Sequence, residues 1–256
     1  MRNLGRSVNR VFRRLGFEIR PVRRNGGVRA LRALLPTKDR CIEFIGPAGV
    51  GKTTLLDQVV NRTAGAWYFR KDLNSAILNR TPDLIDSKIH WRLLFGKMNW
   101  LETAQISGLQ KVQLLRYFSL VLLNDVKLRN SGLLKGVLLD EGLCQNFARQ
   151  LLDLQESDFL CILFDRALVF LEPSDNETVV RQIRGRAMAG GRLVTHHHGK
   201  TDEELAALTA SSTIVFEALS IKAQAAGIPL CIIRTNDPIE SKIRVLLEFE
   251  RRFLKE

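Results

Sequence analysis

The chain has 256 residues, 45% of them apolar and 26% charged, with a formal net charge of +12. That length and balance suit one large soluble domain with an appendage and exclude a disordered or collagen-like polymer. No stretch approaches eighteen consecutive apolar residues, and the start lacks the apolar core and small-residue cleavage site of a signal peptide, so neither a spanning helix nor secretion is expected.

The charge is concentrated at the start. Residues 1–36 hold ten arginines and one acid, Glu18, for +9, which leaves +3 for residues 37–256. Leu4, Val8, Val11, Phe12 and Leu15 fall at helical spacing between those arginines, so residues 1–36 read as a basic amphipathic arm. Three readings stay open: an anionic membrane surface, a helix packed on the body, or an organellar targeting segment. A nearly neutral body argues against a nucleic-acid partner. A homodimer stays open. Cys41, Cys144, Cys161 and Cys231 show no paired spacing and read as buried free thiols of a reducing compartment. The expected location is the cytoplasm, on the inner face of the membrane if the arm docks there.

From residue 40 strands and helices alternate. Apolar runs at 41–45, 66–70, 136–140, 167–173 and 228–233 read as strands. Helices are expected at 52–61, through most of 83–130 with breaks near Gly96 and Gly108, from Gly142 to Leu154, from a Ser174/Glu177 capping box to Ala187, at 202–225 behind a Thr201/Glu204 box, and at 237–254. Strands separated by helices imply an α/β fold with a five-stranded parallel sheet covered on both faces in three layers, and the GxxxxGK[ST] run at 46–53, directly after the first strand, makes it a P-loop NTPase fold.

"FIGPAGVGKTTLL" (44–56) carries the chemistry. Gly46, Pro47, Ala48, Gly49, Val50, Gly51, Lys52 and Thr53 satisfy GxxxxGK[ST] between a buried strand and a helix start, with Thr54 next in line. In this pattern backbone N–H groups wrap phosphate oxygens at a helix N-terminus, the lysine reaches the β- and γ-phosphates, and the threonine hydroxyl faces Mg²⁺. A second part, an acid at the end of another buried strand, is supplied by Asp140 of "GVLLDE". Thr53 and Asp140 are the candidate metal-holding pair, with ATP and Mg²⁺ as cofactors. Glu141 either orients or deprotonates an attacking group or neutralises nearby arginines.

The P-loop, the acidic end of the third strand and "LVFLEPSDNETVVRQIRGR" (168–186) together resemble the nucleoside and nucleotide kinases, in particular the thymidylate-kinase-like group, over about residues 40–254. The resemblance implies a helical acceptor region at 83–130 and a mobile lid at 181–200. By position it makes Arg181, Arg184 and Arg186 lid arginines, Arg181 on the nucleotide, and makes Asp72 and Arg70 acceptor-binding candidates. Clustered guanidiniums suit a transition state whose charge spreads over the transferred phosphoryl oxygens. Such kinases usually carry Asp-Arg where this chain has Asp140-Glu141, so a neutral acceptor with a free hydroxyl, such as a nucleoside, sugar or envelope-saccharide precursor, fits at least as well as a nucleotide. The competing class is an ATPase or switch in which Glu141 activates water; a nucleotide-gated docking protein without turnover is a third. The triple His196-His197-His198 reads as lid or hinge rather than as a metal site, because adjacent residues do not point at one centre.

Overall fold

The structure is a computed structural model. It describes residues 41–63, 67–69, 73, 74, 76, 88–129, 133, 136–164, 166–190, 197 and 199–255. The basic arm, Arg70, Asp72, His196 and His198 lie outside the described residues.

The elements in chain order are β1 (Cys41–Ile45), α1 (Lys52–Arg62), β2 (Trp67–Phe69), α2 (Lys88–Thr103), α3 (Gly108–Arg129), β3 (Gly136–Leu139), α4 (Leu143–Leu152), α5 (Glu156–Leu163), β4 (Arg166–Glu172), α6 (Asn176–Met188), α7 (Asp202–Ala225), β5 (Leu230–Arg234) and α8 (Ile239–Lys255). The five strands form one parallel sheet in the order β2-β3-β1-β4-β5, with helices on both faces, as the alternating pattern implies. β1 is central and wholly buried, pairing Ile42 with Leu138 of β3 and Ala167 of β4. Burial on both faces explains why β1 and β4 read as continuous apolar runs rather than alternating ones.

One core cluster joins the sheet to α1, α6 and α8 through Leu55, Leu56, Val179, Ile183, Ile243 and Leu246. On the other side Phe147 of α4 packs edge-on against Phe118 of α3, with ring centroids 5.7 Å apart. Among the described residues α7 is the one helix long and apolar enough to cross a membrane by length and composition. Its Leu205, Phe216, Leu219 and Ala223 are buried and it packs on α4, α6, β4 and β5, while Ile214 and Ile221 on its other side are exposed.

A chain of buried charges runs beneath this packing. Glu43 on β1 is 0% exposed, and Arg166 on β4, 2% exposed, donates to its Oε2 at 2.6 Å. Arg166 also pairs with Asp125 of α3. Asp125 in turn accepts from Arg129 Nε at 2.9 Å and lies 2.8 Å from His90 Nε2 on α2. Burial and the two guanidiniums push the His90 imidazolium down to about 3, so His90 meets Asp125 as a neutral N–H donor. Removing one member would strand an uncompensated charge, at a cost of about 3–5 kcal/mol.

Four local expectations are corrected. α2 passes through Gly96 unbroken, because a Cβ there would come within 2.9 Å of Gln150 Cγ, so the glycine lets α2 and α4 approach closely. The break expected near Gly108 is present, at 104–107, directly before α3. α6 is capped by Asp175, whose Oδ1 accepts from Thr178 N at 2.6 Å, while Ser174 donates its hydroxyl to Asp175; the Ser174/Glu177 box does not form. The Thr201/Glu204 box does form on α7. α5 was not expected: its eight residues are too short to show a helical period. Cys41, Cys144 and Cys231 are buried free thiols, but Cys161 is exposed, on the outer side of that same helix.

Candidate functional site

The site forms where β1 ends and α1 begins. Gly46, Gly49 and Gly51 all have positive φ, at 144°, 89° and 92°. At Gly49 the requirement is double. Its backbone is left-handed, and a Cβ would stand 2.6 Å from Ile183 Cγ1 on α6. The loop is thereby wedged between its own strand and α6, with its amides at the N-terminus of α1, where the helix dipole favours an anion.

Lys52 Nζ folds back over the loop, donating to the carbonyls of Gly46 at 2.6 Å and Pro47 at 2.9 Å. Burial pulls its ammonium down to about 8, against the opposing pull of Glu141 and Asp140. Thr53 Oγ1 donates to Asp140 Oδ2 at 3.1 Å, so the two residues expected to hold a metal lie side by side. A hydroxyl and a carboxylate are hard oxygen donors, and Mg²⁺ ordinarily takes one or two such protein ligands while keeping water and phosphate for the rest. The donor set fits Mg²⁺. Among the described residues no group of three or more His, Cys, Asp or Glu gathers as a metal cage. His197 is buried, in a short turn before α7.

Glu141 is exposed at the same strand end. Tyr117 of α3 donates its hydroxyl to Glu141 Oε2 at 3.2 Å. Burial, with Glu141 and Asp140 nearby, pushes the Tyr117 phenol well above its usual range, so it stays a donor. Asn146 Nδ2 donates to the carbonyls of Glu141 at 3.1 Å and Gly142 at 2.8 Å, fixing the turn that follows β3.

Besides Tyr117 and Asn146, Gln145 and Glu43 were not singled out from the sequence. Gln145, on the first turn of α4, clasps the loop at its first residue: Gly46 N donates to Gln145 Oε1 at 3.1 Å, and Gln145 Nε2 donates to Gly46 O at 3.0 Å. Glu43 anchors Gln145, accepting from its main-chain N–H at 2.9 Å, so a buried carboxylate on β1 caps the N-terminus of α4. That approach explains Gly142, where a Cβ would meet the Glu43 carboxylate at 2.6 Å. The P-loop is thus tied through Gln145 and Glu43 to the buried charges on β4, α3 and α2. Lys97 is another. Its Nζ stands 4.5 Å from the Phe118 ring centroid and 5.2 and 5.5 Å from those of Trp100 and Phe147. Burial, then Arg149, lowers it to about 8. No sequence signal marks Gln145 or Glu43, since both contacts span about a hundred residues.

The three arginines of α6 are differently placed. Arg181 is exposed and donates to Thr178 Oγ1 at 2.8 Å on its own helix. Arg184 turns toward the start of α7, donating to Asp202 Oδ1 at 2.7 Å and to Lys200 O at 2.6 Å. Arg186 is exposed, one turn beyond Ile183 and two beyond Val179, the side chains that face Gly49. At spacings of three and four it continues the stripe that packs on the loop. Arg92 pairs with Asp158 of α5 and Arg116 is exposed, so both are surface residues.

No protein-family model matches the chain, and no curated protein matches it in sequence. Among solved structures it is similar to a deoxyadenosine kinase from M. mycoides with bound dCTP (11% identity, 83% of this chain and 99% of that one, TM-score 0.44). It is also similar to a shikimate kinase from Bacteroides thetaiotaomicron (17% identity, 83% and 98%, TM-score 0.41) and to a gluconokinase from Sinorhizobium meliloti 1021 (11% identity, 84% and 93%, TM-score 0.39).

Proposed function

We propose that the protein is an ATP- and Mg²⁺-dependent phosphotransferase of the thymidylate-kinase-like group, moving a γ-phosphoryl group onto a hydroxyl or phosphate of a small acceptor. The observation that carries this reading is the contact of Thr53 with Asp140 at the mouth of a glycine loop that also holds Lys52. The loop amides from Gly46 to Thr53, with Thr54 behind them, bind the triphosphate. On binding, Lys52 exchanges the two loop carbonyls for phosphate oxygens. Gly46 O keeps Gln145 as its donor throughout, which lowers the cost of that exchange. Thr53 and Asp140 hold Mg²⁺, which neutralises charge on the phosphates when bound. Asp72 and Arg70 serve the acceptor, and Arg181, Arg184 and Arg186 form the lid. Catalysis comes from positioning and charge stabilisation, and lid closure keeps water from competing with the acceptor.

A second reading, an ATPase or switch, is favoured by one observation: Glu141 is an exposed carboxylate next to Asp140, oriented by Tyr117, as a water-activating base would be. One experiment separates the two. Labelled γ-phosphate is followed across a panel of nucleosides, sugars and lipid-linked saccharides, with free phosphate measured in parallel. Label on an acceptor supports transfer; release at a comparable rate without any acceptor overturns it in favour of hydrolysis. The arm, residues 1–36, is proposed to bind anionic membrane at the inner face of the cell envelope; equal sedimentation of the whole chain and of residues 37–256 with anionic liposomes would reject this.

A further inference from the structure

Lys97 of α2 is a cation without an anion. Its Nζ stands over the rings of Phe118, Trp100 and Phe147, and among the described residues it makes no hydrogen bond and no ion pair. The charge that acts on it is of the same sign: Arg149 of α4 opposes it, and no carboxylate offsets that. Arg149 donates to Ser211 Oγ of α7 at 3.3 Å and has no acidic partner among the described residues. Such an arrangement is costly, because burial strips the ammonium of water, Arg149 repels it and the ring faces return only part of the loss. A lysine stem is long enough to carry its ammonium out to solvent, yet here it is kept over the rings. Lys97 is half-buried, between the wholly buried Phe147 and the exposed Trp100, so it lies at the edge of the core rather than sealed within it. It also lies near the phosphate site. Phe118 follows Tyr117, the donor to Glu141, and Phe147 comes two residues after Gln145, which clasps the glycine loop.

We infer that Lys97, with Arg149 beside it, binds an oxyanion, a carboxylate or a phosphate, carried by the phosphoryl acceptor. The acceptor is then a small anionic molecule with a free hydroxyl, and this rests on the phosphotransferase reading. A bound oxyanion removes the repulsion between the two cations and gives the ammonium the partner that burial denies it. The surrounding rings keep water away and lower the local dielectric, which strengthens the pair. Lysine suits this task as a compact point charge, while the arginine adds planar donors at the exposed side. Trp100 and Phe118 offer ring faces to the apolar side of the molecule that carries the anion. The half-buried position of Lys97 selects a slender ligand: an extended polyanion would meet Arg149 without reaching the ammonium.

Trp100 reports occupancy, since it packs edge-on against Phe118 and stands 5.2 Å from Lys97 Nζ. Full-length protein without nucleotide is titrated with ribose, ribonate and ribose 5-phosphate, a neutral molecule with its carboxylate and phosphate counterparts, and tryptophan emission is followed. The expected result is a saturable change with ribonate or ribose 5-phosphate and none with ribose; which anion binds tells carboxylate from phosphate. The change should be lost in Trp100→Phe, and binding should weaken at least tenfold in Lys97→Met. Methionine has a similar length and packs well on rings, so Lys97→Met should also raise the melting temperature, by about 2–4 °C, by removing an unpaired cation. Equal binding by Lys97→Met and wild type, or emission unmoved by either anion, would overturn the inference. A lower melting temperature in Lys97→Met with unaltered binding would make the ammonium a packing element only. The same three molecules, given ATP, Mg²⁺ and labelled γ-phosphate, test transfer separately. Binding that depends on Lys97 with no label on any of them supports the anion site and counts against phosphoryl transfer. Label on ribose alone, unaffected by Lys97→Met, leaves phosphoryl transfer standing and overturns the anion site.

Discussion

Thr53 Oγ1 donates to Asp140 Oδ2 across 3.1 Å, joining the second residue of α1 to the residue that follows β3, 87 positions along the chain. A strand order that places β3 beside β1 is what brings the two together. The same geometry sets Lys52, Glu141 and Gln145 around one strand end, and it defines what each substitution should do.

Gln145→Leu removes both hydrogen bonds to Gly46 while leaving Lys52, Thr53 and Asp140 untouched. Loss of the pair should cost about 1–2 kcal/mol of stability and weaken ATP roughly tenfold, with a smaller effect on kcat. Chemical denaturation with steady-state kinetics checks this. An unchanged KM for ATP would show that the clasp has no part in shaping the loop.

The arginines of α6 should separate. Arg186→Ala, on the side of the helix that meets the loop, should lower kcat by roughly 10²-fold with little change in ATP affinity. Arg184→Ala gives up the bonds to Asp202 and Lys200, so it should also lower the melting temperature, by about 2–4 °C for each kcal/mol lost. Equal kinetics for Arg186→Ala and the wild type would remove that residue from the lid.

Lys52 gives nucleotide binding a basic limb. With its ammonium lowered to about 8 by burial, the free protein loses that charge as pH rises through 8, and bound triphosphate favours the charged form. The dissociation constant for ATP should therefore rise by about tenfold per pH unit above pH 8. Binding that stays flat to pH 9.5 would mean that Lys52 does not face the phosphates.

Stability should fall between about pH 4.5 and 7. Glu250 of α8 is buried, its Oε1 has no hydrogen-bond partner, and its pKa is raised by burial to about 7, although the Trp67 indole N–H donates to it. Below the unfolded pKa both states carry the proton. As pH rises toward 7 the unfolded chain ionises while the folded one does not, so stability is lost through that window, on the order of 3 kcal/mol. Glu250→Gln should flatten the dependence and raise the melting temperature at pH 8; an unchanged pH profile would contradict it.

What could be read from residues alone follows from the range of the interactions. The P-loop, the five strands and the acid at Asp140 are local patterns of spacing and apolar runs, and the structure has each in place. The capping of α6 was misassigned by one residue because Ser174 and Asp175 are both good caps and only geometry chooses. Gly96 looked like a helix break because its reason, the closeness of Gln150, lies 54 residues away. Gln145 and Glu43 carry no motif. Their meaning comes from β1 lying beneath the N-terminus of α4, which is a property of the sheet order rather than of either segment. Tyr117 and Lys97 likewise gain their surroundings only when α2, α3 and α4 pack together.

The most direct test is calorimetric titration of ATP with and without Mg²⁺, on the wild type, Lys52→Ala and Asp140→Asn. Binding by the wild type that tightens with Mg²⁺, a loss of roughly 10²-fold in Lys52→Ala, and ATP binding in Asp140→Asn that no longer responds to Mg²⁺ is the expected result. Equal affinities in all three proteins, with or without the metal, would contradict it.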